Sequence, residues 1–132
     1  MTLRFRLLDG SYAVARLDAT SPIPPWSTRG AFTSVTRTHE ELSVVWDEAS
    51  VPDDVRAERG WRALQLEGPI PFEMTGVAAR FTSVLAARAI SVFVISTFDT
   101  DYLLVKEASL AASIAALRDD GCEVTDAPQA LR

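Results

Sequence analysis

The sequence predicts an α+β protein of two units, the second ordered β-α-β-β-α-β. Three observations carry this. Apolar spacing changes from alternation to a helical period near Thr75, a β-branched apolar run follows at Ile90 to Thr97, and a second helical stripe ends at Asp119-Asp120-Gly121. The first unit is expected over residues 1–60, degenerate and β-rich, packed side by side with the second over 61–126; residues 127–132 read as a tail.

In the first unit, Leu3 to Leu8 and Tyr12 to Leu17 alternate as strands around Asp9-Gly10, a hairpin signal. Ser21 to Pro25 reads SPIPP, which proline excludes from a helix interior. Phe32 to Arg37 and Ser43 to Asp47 read as strands joined by Thr38-His39-Glu40-Glu41. Pro52 to Glu58 is expected as a short helix stopped by Gly60.

In the second unit, Trp61 to Glu67 reads as a strand, broken by Gly68-Pro69-Ile70-Pro71. Met74, Val77, Ala78, Phe81, Leu85 and Ala89 then form a helical stripe to about Arg88, with Thr75 as N-cap. Ile90 to Thr97 suits a central strand buried on both faces. Phe98-Asp99-Thr100 links it to a strand at Asp101 to Val105, as in a hairpin. Leu110, Ala111, Ile114 and Leu117 mark the second helix, and Cys122 to Thr125 the last strand. The expected core is Val77, Phe81, Leu85, Val92, Val94, Leu103, Val105, Ile114 and Leu117. This order is the ferredoxin-like, or split βαβ, motif.

Composition narrows the function classes. Of 132 residues, 48% are hydrophobic and 23% charged, as in ordinary globular chains. A net charge of -5 without a basic patch argues against nucleic acid as a partner. No apolar run is long enough to span a bilayer, so no membrane association is expected. The start MTLRFRLLDG alternates like a strand and lacks a signal peptide's apolar core, and Cys122 has no second cysteine to pair with. A cytoplasmic protein is expected.

Enzymatic constellations are sparse. His39 is the single histidine, in a polar turn, and Cys122 reads as a small core hydrophobe. Neither a phosphate loop nor clustered metal ligands occur, so no catalytic residue, cofactor or metal is expected. Trp26, Trp46 and Trp61 read as core or interface aromatics. The run Ser96-Thr97-Phe98-Asp99-Thr100-Asp101 is denser in polar groups. It reads either as a turn bonding its own backbone or as a pocket wall for a ligand ammonium. The Pro69 to Gly76 loop, entering a helix start with free N–H groups, suits a ligand carboxylate. Gly76 serves either close ligand approach or tight packing.

The run ISVFVISTFDTDYLLV, with TGVAARFTSVLAARA before it and KEASLAASIAALRDDGCEV after it, resembles the ACT domain. SVTRTHEELSVV is similar to the companion region of a small bacterial two-ACT subfamily, and the pattern resembles the ACT units of cytosolic arginine sensors. The resemblance covers about Leu3 to Val124. It implies amino-acid binding between a loop–helix junction and a neighbouring strand, often across a paired unit. Carried over position by position, it implies Ser91, Val92 and Asp101 on one side and Met74, Thr75, Gly76 and Val77 on the other. With Thr97 and Asp99 from the polar run, these nine are the candidate ligand-binding residues. The expectation is a non-enzymatic amino-acid sensor: a homodimer binding a free amino acid or similar small ligand, with an unidentified regulated protein. The alternative is a structural or interaction module with a vestigial pocket.

Overall fold

The structure is a computed structural model that describes residues 2–28, 30–71 and 74–126. The chain divides into two compact units, Asp9–Trp61 and, together, Met1–Leu8 with Arg62–Arg132.

The second unit contains β1 (Arg4–Leu7), the end of β5 (Ala57–Leu66), β6 (Phe93–Ser96), β7 (Asp101–Lys106) and β8 (Glu123–Asp126). Its strand order is β6-β7-β5-β1-β8. From β5 onward the chain follows the βαββαβ path, with helices α1 (Val77–Ala86) and α2 (Leu110–Asp119). β1 is an added strand, antiparallel to β5 with Phe5 opposite Leu66, and parallel to β8 with Phe5 opposite Val124. Alternation puts Leu3, Phe5, Leu64, Leu66, Leu103, Val105 and Val124 into one core with Phe81, Leu85 and Leu117 of the helices. Phe5 meets Phe81 edge to face, ring centroids 5.6 Å apart. Each such fully buried large side chain stabilises the fold by roughly 1.5–3 kcal/mol relative to exposure.

The first unit pairs β3 (Ser34–Arg37) with β4 (Leu42–Asp47), β4 with β2 (Tyr12–Leu17), and β2 with the start of β5. Ala13, Ala15, Leu42, Val44, Trp46 and Val51 form its core. Trp26 packs on Trp46 at 4.2 Å between centroids. In place of α-helices, its described residues carry two 3-10 turns, Pro25–Thr28 and Glu48–Ser50. The Arg37 guanidinium donates to the carbonyls of Ala19 and Ser21, which fixes the proline-rich segment.

Several local expectations are corrected. β1 and β2 do not form a hairpin: β1 pairs with β5 and β8, and β2 with β4 and β5. The first strand therefore leaves the expected 1–60 unit, because its apolar face completes the helix-covered core. Residues 52–54 form a turn instead of a helix start, and β5 already runs from Ala57 through Gly60. A helix there would have had no apolar stripe to bury. Ile90 to Thr97 is not a doubly buried central strand. Arg88, Ala89 and Ile90 donate back to Leu85 and Ala86 carbonyls, closing α1, and β6 is a four-residue, half-buried edge strand paired only with β7. Within the expected core, Phe81, Leu85, Leu103, Val105 and Leu117 are buried, while Val77, Val92, Val94 and Ile114 are partly buried against them. No helix among the described residues is long and apolar enough to cross a membrane.

Candidate functional site

Beyond Leu66 the chain makes a tight exit from the sheet. The Glu67 amide donates to the Arg4 carbonyl at 2.8 Å, and the Ile70 amide to the Asp99 carbonyl at 2.7 Å. The Met74 amide donates to the Pro71 carbonyl at 3.0 Å. Gly76 then takes φ +78° as N-cap of α1, a left-handed conformation costly for residues with a Cβ. The expected Thr75 cap is thereby corrected: no side chain caps this helix. The first intrahelical bond runs from the Arg80 amide to the Gly76 carbonyl at 3.0 Å. The amides of Val77, Ala78 and Ala79 thus have no acceptor within the helix.

The β6–β7 hairpin forms the facing wall. Thr97 donates to the Thr100 carbonyl through both its amide, at 2.8 Å, and its hydroxyl, at 3.0 Å. Ser96 Oγ donates to Asp101 Oδ1 at 2.6 Å across the strand pair. Asp99 is exposed, and its carboxylate has no hydrogen-bond or ion-pair partner among the described residues. Between the walls lies a cleft of about 310 Å³, of small-ligand size.

Six of the nine candidate residues line this cleft: Met74, Gly76, Val77, Thr97, Asp99 and Asp101. Thr75 lines a neighbouring hollow of about 260 Å³ with Leu3 and Arg80. Ser91 is exposed and Val92 half-buried against the core, and neither lines the cleft. They fall in the turn between α1 and β6, ahead of the strand that reaches the site. Outside the nine candidates, though within the two segments that the sequence singled out, the cleft is also lined by Ile70 and Pro71, an apolar wall, and by Thr100, which is buried in the hairpin between Asp99 and Asp101. Gly68-Pro69-Ile70-Pro71 had signalled a fixed loop, but not which way it faced.

The cleft has opposed poles. Asp99 and Asp101 supply its charged side chains, and no Lys, Arg or His is among its described lining residues. The other pole is the α1 start, whose free amides and aligned peptide dipoles favour negative charge. Arg80, nearby, is held by Asp120 at 3.1 Å. Other chemistry is absent from this place. His39 is exposed in a turn where the Glu40 and Glu41 amides donate to Thr38 Oγ1 at 3.1 Å each. Cys122 is buried, and desolvation pushes its thiol pKa up from 9.0 despite the opposing charge of Arg80. Among the described residues no group of three or more potential ligands is placed to hold a metal ion.

A family model for the ACT domain matches residues 56–119, and a model for an N-terminal companion domain matches residues 10–54. The chain is 32% identical over 107 residues to the cytosolic arginine sensor for mTORC1 subunit 1 of Bos taurus, across 74% of this chain and 32% of the sensor. It therefore spans about a third of the length of these arginine sensors. A crystal structure of an Agrobacterium tumefaciens protein superposes with TM-score 0.91 at 37% identity, covering 98% of this chain and 96% of that one. The ligand-free regulatory subunit of aspartate kinase from Thermus thermophilus shares the fold, with TM-score 0.56 at 8% identity over 83% of this chain and 92% of that one. Two units on the ferredoxin-like plan agree with the ACT-type fold of these relatives. The chain is an ACT-domain protein.

Proposed function

We propose that the cleft between the α1 start and the β6–β7 hairpin binds a free amino acid, and that the protein acts as a sensor by binding and not by turnover. One observation carries the reading: the α1 start, with its free amides, and Asp99 and Asp101 line the same cleft. A zwitterion matches both poles. Its carboxylate accepts from the amides of Val77 to Ala79, its ammonium faces Asp101 and Asp99, and its side chain lies along Ile70, Pro71 and Met74. The arginine sensors among the relatives make arginine the first ligand to try. The regulated target is a separate protein, reached in the cytosol by a homodimer.

The Ser96–Asp101 hydrogen bond favours a second reading, in which Asp101 serves its own hairpin and the cleft is vestigial. A thermal-shift screen of the standard amino acids separates the two. A ligand at about 100 times its Kd stabilises the native state by ~2.7 kcal/mol, a clear rise in melting temperature. If none of the twenty raises it and none co-purifies, the sensor reading is wrong.

A further inference from the structure

Thr100 is one of two buried polar residues among those described, at 5% exposure, yet it belongs to an exposed turn. Its hydroxyl donates to the Leu66 carbonyl at 2.7 Å, 34 positions back in the chain. That carbonyl is at the last position of β5, where the ladder ends and the loop to α1 begins. One residue earlier, the Asp99 carbonyl accepts the Ile70 amide at 2.7 Å. Between these two bonds sits Gly68, where a Cβ would lie 3.0 Å from both the Asp99 carbonyl oxygen and the Thr100 Cβ. Gly68 does not take a positive φ, so close approach alone demands glycine there.

We propose that Thr100, with Gly68, is a positioning latch that locks the loop at 66–70 onto the hairpin and so sets the shape of the cleft. The inference rests on the reading of that cleft as a ligand site. The residues joined by the latch are cleft walls: Ile70 and Pro71 follow from the loop, and Asp99 and Asp101 flank Thr100. Ligand ammonium and ligand side chain therefore meet surfaces fixed against one another, while the α1 start supplies the third surface. Preorganisation of this kind raises affinity by lowering the ordering needed on binding. The buried hydroxyl is the group that carries it, because a buried carbonyl left without its donor costs more than the bond contributes net.

The test compares Thr100→Val, which keeps the shape and removes the donor, with Thr100→Ser, which keeps the donor. The readouts are amide hydrogen exchange at Ile70 and at Phe81, and titration of the amino acid found in the thermal screen. The latch requires Ile70 exchange about tenfold faster in Thr100→Val with Phe81 unchanged, Kd weakened by about tenfold, and both restored in Thr100→Ser. Wild-type Ile70 exchange and wild-type Kd in a folded Thr100→Val protein overturn it. If that variant does not fold, Gly68→Ala replaces it, and unchanged Ile70 exchange there overturns the latch. If wild-type protein binds no amino acid, the sensor reading fails separately. The latch is then judged on Ile70 exchange alone: acceleration supports it and no change overturns it.

Discussion

Replacing Asp101 by Asn separates a ligand-binding carboxylate from one that only closes a hairpin. In the folded protein, Asp101 Oδ1 accepts from Ser96 Oγ at 2.6 Å, at the last paired position of β6 and β7. Asparagine retains a carbonyl oxygen that accepts the same bond, so folding loses only the charge-assisted part, about 1 kcal/mol. A ligand ammonium loses more, because the amide offers it no net charge. Charge-assisted contacts contribute about 1.5–3 kcal/mol, and partial solvent access at Asp101 points to the lower end, roughly a tenfold rise in Kd. Isothermal titration with the amino acid from the thermal screen reads the binding term, and urea unfolding of the free proteins reads the folding term. Equal dissociation constants in the two proteins would remove Asp101 from the site and return it to the hairpin.

Four further outcomes are expected. Phe81→Ala removes a side chain with 0% exposure that packs edge to face on Phe5, and urea unfolding should show a loss of about 3–5 kcal/mol. Aspartate and glutamate should bind more weakly than asparagine and glutamine, by about tenfold in titration, because the charged lining residues are both aspartates. The raised Cys122 pKa means the unfolded chain gives up this proton first. Its contribution is therefore full below pH 9.0 and lost as pH climbs toward the higher folded value, a decline absent from Cys122→Ala in pH-dependent unfolding. Among the described residues β3, β6 and β8 each pair on one side only, and such edges tend to be covered, so light scattering at micromolar concentration should report a homodimer. A monomer would refute that assembly.

The sequence pattern exposed the second unit better than the first, for a physical reason. A helix that packs on a sheet must repeat its apolar residues every three or four positions, so Val77, Phe81 and Leu85 announced α1 without any partner in view. Strand partners carry no comparable local mark. Leu3 and Phe5 alternate equally well as half of a hairpin or as an inserted strand, and the choice is made by β8, far along the chain. Gly60 read as the stop of a short helix, although β5 runs through it and its later residues pair along β1. At the site, the polar run and the helix start were legible because free amides and clustered carboxylates are rare in combination. Ser91 and Val92, carried over from the resemblance, follow the α1 closing turn and precede β6, so they do not line this cleft. The burial of Thr100 was not legible, since a threonine between two aspartates reads as solvated until Leu66 is seen beneath it.

The threading of β1 between β5 and β8 has a consequence for biosynthesis. Arg4 and Glu123 are paired in register and by an ion pair at 2.8 Å, yet they are 119 positions apart. At about 5–20 residues per second, a ribosome needs roughly 6–24 s between making one and making the other. During that interval β1 can acquire β5 as a neighbour, but its opposite edge stays bare, with Leu3 and Phe5 still lacking the Val124 side of their core. A chain stalled before residue 123 therefore presents an apolar, unpaired strand where the finished protein has an interior one. Completion of the sheet must await β8, which makes the interval before its synthesis one of exposure to aggregation and the moment when a chaperone would matter.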